Sequence, residues 1–450
     1  MTRDEFVKTL FDRAAREGFT ACEVYYQNGS SFSVSVFGGE IRDYSSADAA
    51  GLSFRALIGG KMGYASTEAL DLDAIDLLID GARENAKLIE SPDEQFLFPG
   101  SSAYAGVENH NPAIDEWSAA KKIELCKEFE KRTLAADPRI RQVGVCGVFS
   151  ESSEVEIVNT LGLRVSHRAN LIGGYVEPVA AEGDRTNTGF AMFYEGDPAK
   201  IDLDAAVEKG VREAVDGLNA ESVAAGEYRV LLRNDCAATM LSTFSGVFSA
   251  DRAQKGLSLL NGREGERIAD ECVTIVDDPH MPGQPASTPF DAEGVATYPK
   301  KVVERGVLKT LLHNLKTANK QGVKTTASAS KSGYASSVSV APTNFLIEPT
   351  NEPPETMLDR LSDGLFITDV QDMHSGADPI SGDFSLSAKG YLVEHGKIAR
   401  AVNQITVGGN FFKLLNGVEA VGGDLKFAFP GSSGFASPSI LIRALSVAGK

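Results

Sequence analysis

The spacing of apolar and polar residues changes several times along this chain, and each change marks an element. Between residues 2 and 18, Phe6, Leu10, Phe11 and Ala14 recur at helical spacing and Gly18 supplies a C-terminal stop, which predicts an amphipathic helix. From Cys22 the period falls to two. Phe32, Val34 and Val36 alternate with Ser31, Ser33 and Ser35 up to a Gly38-Gly39 turn, and more strands with glycine turns follow through GLSFRALIGGKMGYAS. Strands joined by such short turns pair antiparallel. Leu70, Ile75, Leu78 and Ala82 then restore helical spacing.

Residues 90 to 112 are rich in Pro, Gly, Ser and Asn and lack a period, so they read as a loop or a connection between subdomains. Helical pattern resumes at Ile114 and around Ile123, alternating strands fill roughly 139 to 196, and a helix covers 200 to 217. The polar stretch LNAESVAAGEY marks the main boundary. It divides the chain into 1–222, itself divisible at about 1–90 and 113–222, and a strand-rich 223–450. Two similar hairpins, Val302 to Thr310 and Leu392 to Arg400, share Glu-x-Gly at the turn, which is common turn chemistry rather than an internal repeat. Helices at intervals among antiparallel strands predict an α+β fold, mainly antiparallel sheets with flanking helices.

Composition narrows the function classes. Lys plus Arg total 44 against 62 Asp plus Glu, a net charge of −18, with no Lys/Arg-rich run. That balance repels phosphate backbones and anionic lipid, so neither nucleic acid nor membrane is expected as a partner. The N-terminal MTRDEFVKTLFDRAAREGF is charged throughout, unlike a signal peptide, and no run of about 18 apolar residues occurs. A cytoplasmic protein is expected. The five cysteines are widely spaced and never form C-x-x-C, as expected of reduced, buried thiols.

The candidate chemistry is sparse. No pair of the six histidines falls at i, i+4 or i, i+5, which excludes an H-E-x-x-H zinc helix. Asp369, Asp372, His374, Asp378 and Asp383 gather one imidazole and four carboxylates within fifteen residues, enough for a divalent cation if the loop folds back on itself, although Asp and Gly there also suit a solvated turn. Asp277, Asp278 and His280 read as a polar loop capping a strand. Ser328 and Lys331 satisfy S-x-x-K without the companion motifs of that chemistry, in a segment with no helical period that reads as a mobile loop. TVGGNFFKLLNG could present helix-start amides to an anion, but Phe411, Phe412 and Leu415 point to a packed helix entry. The stretch RVLLRNDCAATMLSTFSG runs from an apolar strand into an amphipathic helix that carries no histidine, no glutamate and no nucleophile with a base beside it.

Several segments in order, FGGEIRDYSSADAAGLSFRALIGGKMGYAST, VNTLGLRV, IVDD, VVERGVLKTLLHN, SVAPTNFLIEP, SGDFSLSAKGYLVEHGKI and ITVGGN, resemble the TldD/PmbA family across nearly the whole chain. The resemblance implies an α+β chain working in the cytoplasm within a two-chain metalloprotease, of a family long described as modulators of DNA gyrase or peptide-maturation proteins. In such pairs the TldD-like chain carries zinc on an H-E-x-x-x-H helix with a distant cysteine as third ligand. The PmbA-like chain, also called TldE, lacks them. Here Arg233 and Ala238, or Asn234 and Thr239 if the register slips by one, stand where the histidines would be, with Asn234 or Asp235 at the base position. No cysteine follows Cys272, so the third ligand is missing too. The resemblance is therefore to the PmbA/TldE side.

The leading expectation is a non-catalytic subunit that pairs with a TldD-like zinc protease, holds no cofactor itself and helps enclose a peptide substrate, with zinc only in the partner. The strand Asp383 to Glu394, with Asp383, Phe384, Ser385 and Ser387 foremost, offers a candidate edge for strand addition. Two other readings stand: a homodimeric peptide binder without protease activity, and a hydrolase with a shifted metal site around His374.

Overall fold

The computed structural model describes residues 1–90 and 93–449. Helix α1 (Arg3–Arg16) starts where Thr2 and Glu5 form a reciprocal capping box, and it buries Phe6, Leu10 and Ala14. A long hairpin follows, β1 (Ala21–Phe37) and β2 (Glu40–Ile58), then β3 (Lys61–Thr67) and α2 (Leu72–Leu88). Gly38 and Gly39 turn the hairpin at φ 61° and 80°, a conformation other residues adopt only under strain. Both turn N–H groups donate to the Glu130 carboxylate, at 2.8 and 2.7 Å, from α3 (Ala119–Ala136).

Strands β4 (Ile140–Asn159), β5 (Arg164–Glu182), β6 (Arg185–Thr188) and β7 (Ala191–Glu195) complete an antiparallel sheet in the order β3-β2-β1-β4-β5-β6, with β7 also on β5. Because β1 pairs with β4 from Glu23 to Ser35, the two halves of the N-terminal region share one sheet. Their cores stay separate. Helices α1 and α2 cover Val24, Leu52 and Phe54, whereas α3 and α4 (Leu203–Asp216) cover Val34, Val148 and Val176.

The C-terminal region opens with β8 (Gly226–Leu232) and α5 (Asn234–Phe244). Around β8 lie β9 (Gly364–Val370), β10 (Asp383–Glu394), β11 (Lys397–Asn410), β12 (Val418–Val421) and β13 (Ile440–Ala448), ordered β11-β10-β9-β8-β13-β12. Strand β11 also meets β13, so the sheet curls back on itself. A second six-stranded sheet of short strands, including Ile275–Asp277 and Asn344–Ile347, packs beside it around one large core. In that core Phe244 of α5 stacks on Phe411 at 4.7 Å. The fold is α+β with mainly antiparallel sheets, as the alternation of periods predicts; β8 with β9 and the pair Asn344–Ile347 with Gly434–Ser437 run parallel. No helix among the described residues is long and apolar enough to cross a membrane.

Buried charge joins the two regions. Arg55 on β2 bonds Glu23 on β1 at 2.9 and 2.6 Å and reaches Glu293 of the C-terminal region at 3.2 Å, all three nearly inaccessible to solvent. Lys331 crosses the same seam, donating to Ser53 Oγ at 2.8 Å and Tyr64 OH at 2.6 Å. The segment expected to be mobile is thus held against the N-terminal sheet, and its Ala329–Ser330 pairs with Ser339–Val340. Ser328 and Lys331 take different partners: Ser328 Oγ lies 3.0 Å from Thr326 Oγ1.

Candidate functional site

The strand-to-helix junction at Arg233 is packed with charge rather than empty. Strand β8 sits between β9 and β13, and the Arg233 N–H, donating to Ile367 O at 3.0 Å, continues the pairing one residue past the strand. Helix α5 begins at Asn234, so the Arg233 and Asp235 side chains emerge together at its first turn. The guanidinium grips Asp235 with two bonds, 2.6 and 2.8 Å, and gives a third to Glu213 Oε1 at 2.6 Å. Glu213 lies on α4 with Lys209 one turn before it, and Lys209 Nζ is 3.3 Å from Glu213 and 3.4 Å from Asp235. Two cations and two carboxylates thus interlock, each side chain about one-fifth exposed.

The electrostatics follow from that closure. Burial alone would raise the Asp235 carboxyl, but the Arg233 guanidinium and then Lys209 outweigh it and hold the acid below its ordinary range. Burial would likewise weaken the charge on Arg233, and Asp235 and Glu213 reverse that, leaving it more firmly protonated. Cys236, fully enclosed behind them, has its thiol pushed well up by burial. It is a packing residue, not a nucleophile.

The remaining positions that the resemblance sets against metal ligands are also committed. Asn234 Nδ2 donates to Asp424, at 2.8 Å to its carbonyl and 3.0 Å to its carboxylate, and Asp424 in turn receives Ser439. Thr239 Oγ1 donates back to Asp235 O at 2.8 Å, and Ala238 is buried without a polar atom. A metal ion needs convergent unprotonated donors. Here a guanidinium and an ammonium occupy the mouth of the site, so these residues do not fit one.

Elsewhere the acidic loops are spent on turn geometry. Asp372 receives Ser387 Oγ, Asp378 caps the amides of Ile380 and Ser381, Asp383 receives Asn410, and Asp369 receives Gln371. His374 makes no hydrogen bond to any of them, and among the described residues no group of three or more His, Cys, Asp or Glu is placed to hold a metal. Asp277 forms a buried ion pair with Lys300 at 2.8 Å, while Asp278 and His280 fix the following turn. Asn410 Oδ1 takes the amides of Phe412 and Lys413, leaving that helix start nothing to offer an anion.

The candidate edge at Asp383, Phe384, Ser385 and Ser387 needs correction. Strand β10 is internal: β11 runs along one side, and on the other Ala377 bridges Phe384 while Gln371 and Asp378 donate to the carbonyls of Ser387 and Asp383. The alternation of small and apolar residues is that of a strand covered on one face. It carries no information about its edges.

Arg233, Asp235 and Thr239 line one wall of a cleft of about 380 Å³ between the two regions, with Phe190, Tyr391 and Phe429 around it. Phe429 stacks on Phe149 of the N-terminal sheet at 5.6 Å and leads into a neighbouring hollow, which shares Ser31, Glu151 and Gly431 with a larger cavity of about 650 Å³. Small residues, Gly29, Ser31, Ala47, Ala49 and Ser153, are among those lining that larger cavity. Sequence reasoning missed Glu213 and Lys209. Their i, i+4 spacing was the available signal, but only the fold sets that turn of α4 against α5.

Comparison with known proteins agrees along the whole chain. Residues 22–86, 112–218 and 225–449 match domain 1, the central domain and the C-terminal domain of the PmbA/TldA metallopeptidases. A Haemophilus influenzae metalloprotease PmbA homolog is 28% identical, over 98% of this chain and 95% of its own. The metalloprotease PmbA of Escherichia coli O157:H7 is 26% identical over 99% and 96%. Among solved structures, a Thermotoga maritima protein provisionally described as a modulator of a DNA gyrase superposes with TM-score 0.91 at 31% identity, covering 99% of this chain and all of its own. TldE of Thermococcus kodakarensis shares the fold with TM-score 0.89 at 23% identity, over 99% of this chain and all of its own.

Proposed function

The chain belongs to the PmbA/TldD family of metallopeptidases, and from that premise we propose that it is the non-catalytic, TldE-like member of a two-chain protease. One observation carries the reading. At the strand-helix junction where a catalytic chain would hold its metal, this chain places an interlocked set of Arg233, Asp235, Glu213 and Lys209. That set keeps the loop-to-helix geometry rigid without a metal, and so preserves the shape of the junction after its chemistry is gone.

In this reading the zinc is carried only by a TldD-like partner, and the pair works in the cytoplasm on peptide precursors and unfolded polypeptide. The neighbouring cavities beside the ion cluster, around Phe429 and over the N-terminal sheet together enclose an extended segment of that substrate. Small residues on the floor let a backbone lie close, and the aromatic rings narrow the passage without demanding a particular sequence.

The test is reconstitution. The purified chain alone should leave a permanently unfolded polypeptide uncut, and adding a TldD-like chain bearing H-E-x-x-x-H should produce chelator-sensitive cleavage that neither chain gives at that rate alone. Cleavage by this chain alone, retained by an Arg233→Ala variant, would sink the proposal.

A further inference from the structure

Lys331 is a nucleophile that the proposed function leaves unused. Its amine sits in a narrow recess beside the larger cavity, between the rings of Tyr25 and Tyr64, 4.5 and 5.1 Å from their centres. The hydrogen bonds it makes go to neutral oxygens, Ser53 Oγ at 2.8 Å and Tyr64 OH at 2.6 Å, and among the described residues no carboxylate bonds it. The N-terminal sheet explains the rest of its surroundings. Ser53 and Arg55 lie two apart on β2 and so share a face, and Tyr64 on β3 stands opposite Arg55. A guanidinium is thus the amine's charged neighbour, and the nearby Glu23 is already held by that guanidinium at 2.9 and 2.6 Å. Burial, and then Arg55, push the ammonium down to about 7, with Glu23 opposing them less. A lysine desolvated beside another cation holds a free amine near neutral pH, the form that adds to carbonyl carbons.

We infer that Lys331 is a covalent site for uncharged aldehydes, reached from the cavity of about 650 Å³ and served by Tyr64 as proton carrier. The lysine is only partly buried, and it lines both that cavity and the recess. Its nitrogen lone pair adds to the carbonyl carbon. The Tyr64 hydroxyl, leaving its longer bond to Ser336 O at 3.2 Å, gives its proton to the carbonyl oxygen and takes one from the amine. The carbinolamine then loses its hydroxyl together with the second amine proton as water, and an imine remains. No oxidant or reductant is needed. The cavity sets the ligand class. Among its described lining residues Lys331 is the only lysine or arginine, Glu151 places a carboxylate on the wall, and burial favours the uncharged form of His167. An aldehyde bearing a carboxylate or phosphate would find no counter-ion there, whereas Phe290 and Tyr334 offer rings to an apolar one. The inference uses this chain's residues alone and does not depend on the proposed function.

The test uses the full chain alone, with circular dichroism confirming that each variant is folded. The chain is incubated with benzaldehyde and cyanoborohydride, which delivers hydride to an imine carbon, and labelled lysines are located by peptide mapping. At about pH 7.5 an ordinary lysine, with a pKa of about 10.4, is about one part in a thousand free amine, so Lys331 should be labelled about tenfold or more faster than the surface lysines. That advantage should shrink toward pH 10. The rate at Lys331 should saturate with benzaldehyde concentration and fall in Tyr64→Phe, and Lys331→Met should lose the fast site while the slow labelling elsewhere stays as it was. Glyoxylate, an anionic aldehyde, should show no preference for Lys331 over the surface. Labelling of Lys331 no faster than the surface lysines would overturn the inference. A rate that rises linearly with benzaldehyde and ignores Tyr64→Phe would overturn it too, leaving a reactive amine without a binding site, and an equal preference for glyoxylate would overturn the assigned ligand class.

Discussion

Arg233→Ala removes the cation that bridges α4 and α5, and the structure sets the size of the effect. Three charge-assisted bonds of 2.6 to 2.8 Å are lost, two to Asp235 and one to Glu213. Breaking a fully buried pair from one side costs about 3–5 kcal/mol. Two features reduce that figure here: the side chains keep about one-fifth of their exposure, and Lys209 remains 3.3 and 3.4 Å from the two carboxylates. A loss of about 2 kcal/mol at pH 7 is expected, read as a fall in the urea midpoint with unchanged slope. The pH dependence supplies an independent check. Asp235 has a depressed pKa in the fold, so its contribution is present above its unfolded value, about 3.9, and is lost as pH falls through the folded one. The gap between the parent and Arg233→Ala should therefore be full at pH 6 to 7 and narrow steadily below about pH 4. A gap under about 0.5 kcal/mol at pH 7, or one that does not change down to pH 3, would refute the claim that the cluster holds this junction.

Two further outcomes rest on the seam between the regions. Arg55→Met strips the cation between Glu23 and Glu293, both almost fully buried, and should cost about 3–5 kcal/mol in urea unfolding, more than Arg233→Ala because among the described residues no second cation bonds either carboxylate. Lys331, with its ammonium pushed down to about 7 by burial and then by Arg55, is bound more weakly to its proton in the fold than in the unfolded chain. The parent should therefore gain stability relative to Lys331→Met as pH rises from about 7 to 10, with a flat difference below pH 7, measured by denaturation across that range. A difference that falls with rising pH would contradict the burial of this amine.

Much of the fold could be read directly from periodicity. The alternation at Phe32, Val34 and Val36 and the Gly38-Gly39 turn placed the β1–β2 hairpin, and the helical spacing of Phe6, Leu10 and Ala14 placed α1, because local pattern reports which face is buried. Edges and partners are a different matter. Asp383 to Ser387 looked like an edge and is internal, whereas Glu40 to Ala50 looked like an ordinary strand and is open on one side. Backbone pairing is set by which distant segments arrive alongside, and side-chain alternation is silent about it. Likewise Arg233 and Asp235 were visible as non-ligands, but Glu213 and Lys209 joined them only once α4 had packed against α5. Lys331 was noticed for its spacing from Ser328, and its actual partners, Ser53 and Tyr64, lie more than 260 residues away.

Purification of the native protein from its own host, with mass and metal content determined on the intact assembly, tests the central claim most directly. The expected result is a stoichiometric companion carrying H-E-x-x-x-H, zinc that stays with that companion when the chains are separated, and a metal-free chain here. Recovery of this chain without such a companion, or zinc bound in stoichiometric amount to this chain after separation, would contradict it.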